Sequence, residues 1–239
     1  MAGRSVGMGW AGACGVLAVV PLWGCGGGAS LHVDGAQSPI AGQASSLYVS
    51  TAHRWASPVV PVCWESTDPA TATERGWVRS AAEETWPTVS AVRFVGWSGC
   101  SAGQPGVHIR VKDTGPYTLG LGDQIDGVTD GMVLNFTFST WSPGCQRTRE
   151  YCVRVGAVHE LGHALGFAHE QNRPDTPSWC TSEQGSPGDV TVGAWDLDSV
   201  MNYCNPVRNG NGVLSAGDIE AVRKVYGSRM DVPVSMNID

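Results

Sequence analysis

Residues 159–175 read HELGHALGFAHEQNRPD and hold three of the chain's six histidines. An α-helix turns once in about 3.6 residues, so His159 and His163 project from one face. Two imidazoles one turn apart can share a single metal ion. Glu160 follows the first histidine, where its carboxylate can reach water beside that metal without being a ligand. Gly166 comes three residues after His163. Glycine tolerates positive φ, so it can end the helix and turn the chain sharply, which brings His169 back as a third ligand. Three neutral histidines leave the fourth position of a zinc ion open, the pattern of a catalytic rather than a structural site. A helix whose histidines merely pack or face water gives no reason for this glycine spacing.

The rest of the chain limits what such a site can serve. Its 239 residues, 42% hydrophobic, suffice for one sizeable core, and 15% charged residues argue against disorder or a coiled coil. With net charge −7 and no basic run, nucleic acid and anionic membrane surfaces are not expected partners. Residues 1–25 carry Arg4, then an apolar stretch ending near Trp23 that is too short and glycine-rich to span a bilayer. This reads as an export signal. Leu22-Trp23-Gly24-Cys25 resembles the bacterial lipobox, which makes acylated Cys25 the one expected membrane contact; a cleaved signal with a passive Cys25 is the alternative. The protein is therefore expected outside the cytoplasm, either as an envelope lipoprotein or secreted, and as a monomer. Six cysteines remain beyond Cys14 and Cys25, an even number that in an exported chain implies disulfides. Sequence proximity alone suggests Cys63–Cys100, Cys145–Cys152 and Cys180–Cys204. A structural zinc on cysteines is the rival, disfavoured because no CxxC pair occurs.

Residues 26–56 are rich in Gly, Ala, Ser and Gln, and read as a tether or short pro-segment. Ser57–Glu65 reads as a strand whose prolines point to an edge or a strand start. Asp68–Trp86 opens with Asp-Pro and places Trp77, Val78, Ala81, Ala82 and Trp86 at helical spacing. Ala91–Trp97, Gly106–Asp113 and Gly131–Phe138 read as strands, and Tyr117–Gly122 as a short edge strand. A long helix then ends near Gly166. The second half is loop-rich up to a final helix over Ser215–Gly227, where Ser215 and Asp218 form an acidic variant of the capping box. The fold class is α+β, a sheet-bearing lobe followed by a loop-rich one.

HExxHxxGxxH is the signature of the metzincin zinc endopeptidases, and GFAHEQNRPD resembles the astacin family within them. Asp196–Cys204, DLDSVMNYC, is similar to that family's Met-turn, with Asn202 where the family usually has His. VLSAGDIEAVRKVYG resembles the C-terminal helix of astacins and matrixins alike. The likeness covers about residues 57–228, leaving 229–239 as a tail. It implies a two-lobed zincin fold, with the active-site helix and a mixed twisted sheet in the N-terminal lobe. It implies one Zn2+ on His159, His163 and His169, Glu160 and Tyr203 as catalytic residues, Met201 as a hydrophobic floor, and protein or peptide substrates. Astacins continue Arg-Pro-Asp with Arg-Asp, whereas here Thr176-Pro177 follow. Glu170 occupies the place of a glutamate that in astacins pairs with the N-terminus freed by activation. If that carries over, cleavage falls near Ser45–Pro58; otherwise Glu170 pairs with an arginine such as Arg173. Asp34 stands as a weak counterpart of the family's inhibitory aspartate, against a solvated loop acid. A matrixin-like protease is the alternative within the class, and a zinc-binding surface or adhesion module with lost or secondary proteolysis is the alternative outside it.

Three further features carry expectations. Asp123, Asp126 and Asp130 offer oxygens for Ca2+, although their spacing matches no EF-hand and a glycine-rich acidic turn is the commoner explanation. His108 alternates with core positions and is expected on an exposed face. Asn135-Phe136-Thr137 matches a glycosylation sequon but falls in a strand.

Overall fold

The computed structural model describes residues 47–180 and 183–229. The expected export signal with Cys25, the acid Asp34 and residues 230–239 of the expected tail lie outside the described residues.

Five strands make the larger sheet: β2 (Val59–Trp64), β3 (Arg93–Gly99), β4 (Val107–Val111), β5 (Tyr117–Thr118) and β6 (Met132–Leu134), in the order β3-β2-β4-β6-β5. All neighbours are parallel except β5, which runs antiparallel to β6 at one edge. Apolar positions follow from this. Val60, Val62, Val107, Ile109 and Met132 are fully buried, as strands covered by helices require. Asp68 accepts from the Ala70 amide and starts a single 3₁₀ turn that leads into the first covering helix, α1 (Ala72–Glu83). The short helix α2 (Trp86–Val89) follows. A second short helix, α3 (Pro143–Arg147), precedes the long α4 (Arg149–Ala164), which packs against α1. Trp86 of α2 donates from its indole to the Val158 carbonyl of α4.

The prolines of β2 do not mark an edge strand. β2 pairs with β3 on one side and β4 on the other. The β4 ladder begins only at Val62, so Pro61 lies ahead of the overlap and leaves no β4 hydrogen bond unmade. His108 is also placed differently from expectation. It is 4% exposed, with its ring nitrogens against Glu65 Oε1 (3.0 Å) and the Gln104 carbonyl (2.7 Å). β4 is an interior strand, and the chain around Gln104 covers the face that strict alternation assigns to solvent.

A second sheet was not foreseen. β1 (Leu47–Val49) sits between β7 (Phe167–Ala168) and β8 (Val190–Val192), antiparallel to both. Leu47 and Val49 are fully buried. Regular structure therefore reaches back past the expected boundary at 57 as far as Leu47, because β1 obtains its partners from segments far along the chain. Past β8 the chain is mostly loop until α5 (Ala216–Tyr226), capped as expected: Ser215 Oγ accepts from the Asp218 amide and Asp218 Oδ2 accepts from the Ser215 amide. The three disulfides pair Cys63–Cys100, Cys145–Cys152 and Cys180–Cys204.

Candidate metal centre and cleft

Helix α4 carries His159, Glu160 and His163 on its inner side, and all three are at least nine-tenths buried. Gly162 lies between the histidines because the buried Met201 sulfur occupies the space where a Cβ would sit, with Trp86 close by. The helix stops where the sequence says it should. Gly166 takes φ +92, and the reversed chain enters β7 and delivers His169. His159 Nε2 and His163 Nε2 each lie 3.1 Å from His169 Nε2. That is close to the edge of a tetrahedron whose metal–nitrogen bonds are about 2.0–2.1 Å, so the three nitrogens fit one zinc ion.

The other nitrogen of each ring meets a main-chain carbonyl. His159 Nδ1 meets Val200 O at 2.7 Å, His163 Nδ1 meets Phe167 O at 2.7 Å and His169 Nδ1 meets Gln184 O at 2.8 Å. An Nδ1–H donated to a carbonyl leaves Nε2 as a lone pair facing its neighbours, the tautomer a metal requires. Burial, reinforced by His169, pulls the pKa of His159 down to about 3. Burial also lowers His163 and His169. The cluster is thus a set of neutral imidazoles, which suits metal ligation.

Glu160 Oε2 is buried with no hydrogen-bond partner, and burial pushes this carboxyl up to about 8. Such an orphaned acceptor is costly unless a ligand satisfies it, so its presence beside three converging imidazoles suits the zinc reading and not a packing role. Tyr203 completes the group. Its ring stacks on His159 with centroids 5.1 Å apart and lies 4.4 Å from His169. Although 42% of the residue's surface is exposed, desolvation of the hydroxyl, then the nearby Glu160, raises its pKa, so the hydroxyl stays a proton donor. All five residues singled out from the sequence, His159, Glu160, His163, His169 and Tyr203, come together here.

Two clefts meet at Glu160 and Tyr203. One, of about 290 Å³, is lined by Trp141, Gly156, Asn205 and Arg208, with the Arg208 guanidinium 5.0 Å from the Trp141 ring centroid. The other, of about 380 Å³, runs along Tyr117–Leu121 and past His163, His169 and Gln184–Ser186. The edge strand β5 therefore borders the cleft.

Several contributors were not visible in the sequence. The carbonyls of Val200, Phe167 and Gln184 carry no residue signature. Asp218 was recognised as a cap, yet it also accepts from Ser199 Oγ (2.7 Å) and the Val200 amide (3.0 Å), so it holds the turn that supplies the His159 carbonyl. Gln171 Oε1 accepts from the Tyr203 amide at 3.0 Å. Asn202, the departure from the Met-turn pattern, is fully buried; it donates to Asp196 O and accepts from the Cys204 amide.

Other sequence candidates separate in space. Asp123 meets His53, Asp126 accepts from the Gly106 amide and Asp130 pairs with Arg110 and Lys112, so the three acids do not face one another as a calcium site needs. Among the described residues, the groups able to gather round one ion are the three histidines and a Cys63–Cys100–His108 set whose sulfurs are joined in a disulfide. Asn135 is buried and bonded to Asp113 and the Thr114 carbonyl, so its side-chain nitrogen is not presented for a glycan.

Comparison with known proteins agrees with this geometry. The model of the Astacin peptidase family matches residues 147–186. The human Tolloid-like protein 1 is 33% identical over a match covering 31% of this chain and 11% of that protein. The zinc metalloproteinase nas-36 of Caenorhabditis elegans is 41% identical over 23% of this chain and 11% of its own length. The chain thus spans about a tenth of the curated relatives it matches. Among solved structures, myroilysin has the same fold at 22% identity, with a TM-score of 0.54, over 74% of this chain and 97% of that one. Over residues 147–186 the chain is thus similar to the Astacin peptidase family, and its overall fold is that of myroilysin.

Proposed function

We propose that this chain is a zinc-dependent endopeptidase that hydrolyses peptide bonds of proteins lying along β5. The observation that carries the reading is the convergence of three buried imidazole Nε2 atoms, two pairs of them 3.1 Å apart, beside the unpartnered carboxylate oxygen of Glu160. His159, His163 and His169 would hold the zinc. Bound there, zinc supplies the Lewis acidity that brings the pKa of water near 7 and polarises a carbonyl.

The chain's own residues do the rest. An extended substrate adds a strand to the side of β5 that no described strand pairs, opposite its antiparallel partner β6. That pairing sets the scissile carbonyl above α4. Glu160 Oε2 accepts a proton from the attacking water and delivers it to the leaving amine nitrogen, as general base and then general acid. The Tyr203 hydroxyl donates a hydrogen bond to the oxygen on which negative charge develops. The three carbonyl acceptors keep the imidazoles from turning as charge builds.

Maturation fits the same frame. Glu170 and Arg173 are buried side by side, 3.4 Å apart, and Arg173 also donates to the carbonyls of Leu47, Val192 and Gly193. Arg173 is the internal cation nearest Glu170, but it grips Asp175 more closely, through two 2.8 Å bonds, and burial pushes the Glu170 carboxyl up to about 8 despite the guanidinium. Since β1 is the central strand of its sheet, any activating cut lies before Leu47, not within the later part of the Ser45–Pro58 window. Export and the disulfides suit an oxidising compartment; acylation of Cys25 remains part of the proposal.

Glu160→Gln tests the mechanism. The variant is expected to bind zinc at unchanged stoichiometry while losing casein or peptide hydrolysis by roughly 10²–10⁴-fold. Undiminished hydrolysis by that variant, abolished by chelator in the parent, would remove Glu160 from the chemistry. Zinc-replete parent protein without hydrolysis of a peptide library would favour the binding-module alternative.

A further inference from the structure

We infer that the Cys180–Cys204 disulfide is a positioning cross-link for the hydrolytic site, locking Tyr203 and the carbonyl that orients His169 into one frame. This rests on the endopeptidase reading for its effect on turnover, but its effect on metal retention stands apart from it.

The three histidines depend on carbonyls of unequal support. Phe167 O belongs to β7, which is paired with β1. Val200 O belongs to a turn whose amide and whose neighbour Ser199 are held by buried Asp218. Gln184 O, the partner of His169, lies in the chain between Arg173 and Asp189, which contains no regular strand or helix among its described residues. Its local side-chain support is Asn172, which donates to that same carbonyl at 2.6 Å and accepts from the Gln184 amide at 3.0 Å. A little upstream, Cys180 is 1% exposed and bonded to Cys204.

The other end of the cross-link adjoins the site directly. Cys204 follows Tyr203, whose ring lies over His159 and His169. The tyrosine amide is held by Gln171, two residues beyond His169. Asn202 joins the same frame, with its Oδ1 accepting from the Cys204 amide at 2.9 Å and standing 3.9 Å from Cys180 Sγ. One covalent bond therefore spans the two loops that carry the third ligand's acceptor and the hydroxyl donor. Cys63–Cys100 joins the ends of β2 and β3, and Cys145–Cys152 joins α3 to the start of α4. Neither of these ties down a carbonyl that orients the three clustered histidines.

The test compares the Cys180→Ser/Cys204→Ser protein with a Cys63→Ser/Cys100→Ser control, each in the parent and in a Tyr203→Phe background. Outer-shell supports of metal ligands change affinity or activity by about 10–100-fold, and a loss of that size is expected in kcat, with KM altered less than about threefold. With zinc in excess, so that His169 stays ligated, removing Cys180–Cys204 in the Tyr203→Phe background should cost kcat less than about threefold, since the hydroxyl it positions is gone. Zinc release to a chromogenic chelator should speed up about tenfold or more. The control should show the same kcat ratio in both backgrounds, whatever it loses in Tm. Equal kcat losses in the two backgrounds, together with unchanged zinc release, would overturn the inference. If the serine variant does not fold, mild phosphine reduction of the folded parent, with alkylation mapped by mass spectrometry, supplies the same zinc-release readout. A parent that hydrolyses nothing would count against the endopeptidase reading, and zinc release would still decide the cross-link.

Discussion

Helix α4 and the loop-built stretch from Glu170 to Asp218 each contribute to the same histidine cluster, but they are held by different forces. α4 is a helix buried along nearly its whole inner length, from Cys152 to Ala164, and its register is set by backbone geometry. Among its described residues, the loop stretch has one three-residue strand and a few turns before α5 begins. Its order comes from side chains that reach main-chain groups: Arg173, Asn172, Asn202 and Asp218. The helix therefore depends on volume, whereas its loop partner depends on polar fasteners that are hard to replace.

Substitutions should separate the two. The largest effect is expected in the loop half, at Arg173→Met. It removes the cation shared by Glu170 and Asp175 together with three bonds to carbonyls, and breaking such a buried pair typically costs about 3–5 kcal/mol. Urea unfolding of this variant beside Glu170→Gln/Arg173→Met tests the point, because the double variant should recover much of the loss. No recovery would mean that Arg173 acts through Asp175 and its bonds to Leu47, Val192 and Gly193 and not through Glu170.

The next effect is a pH dependence in the same half. Burial pushes Asp218 up to about 6 from its ordinary 3.8, against the pull of its hydrogen bonds to Val200, Ser199 and Ser215. The folded state then holds this proton more tightly than the unfolded chain. Its contribution to stability is fully present below about pH 4 and is lost as pH rises to about 6, by up to ~3 kcal/mol. Asp218→Asn should flatten the stability slope over that window; an unchanged slope would assign it to other groups.

In the helix half the expected effect is smaller and independent of pH. Gly162→Ala favours helix formation by about 1 kcal/mol, yet its methyl group meets the Met201 sulfur and Trp86. A net loss of ~1 kcal/mol is expected, seen as a Tm lower by about 2–4 °C. A rise in Tm would show that Met201 moves aside freely, and that the helix half is looser than its burial suggests.

How much could be read beforehand follows the same division. The spacing of His159, His163, Gly166 and His169 announced the convergence of the three imidazoles, because helix pitch and glycine's φ range are local properties. The final helix was legible for the same reason, through Ser215 and Asp218. Readings failed where the outcome depended on distant neighbours. The prolines of β2 suggested an edge, but pairing offset places Pro61 ahead of the β4 ladder. Alternation sent His108 to the surface, but a covering loop buries it. Low periodicity made residues 47–56 look like a tether, although β7 and β8 recruit Leu47–Val49 into a sheet.

The sequence by itself determined which side chains can gather round a zinc ion and which acid stands beside them, because those relations lie within one helix and one turn. Only the tertiary structure decided what holds them there: Gln184 O on His169, Asp218 under the Val200 turn, β1 between β7 and β8, and Tyr203 over the rings. Each of these joins residues far apart in the chain through a main-chain carbonyl, an amide or a packed face. Such groups are nearly alike in every residue, so no pattern of residue types announces them.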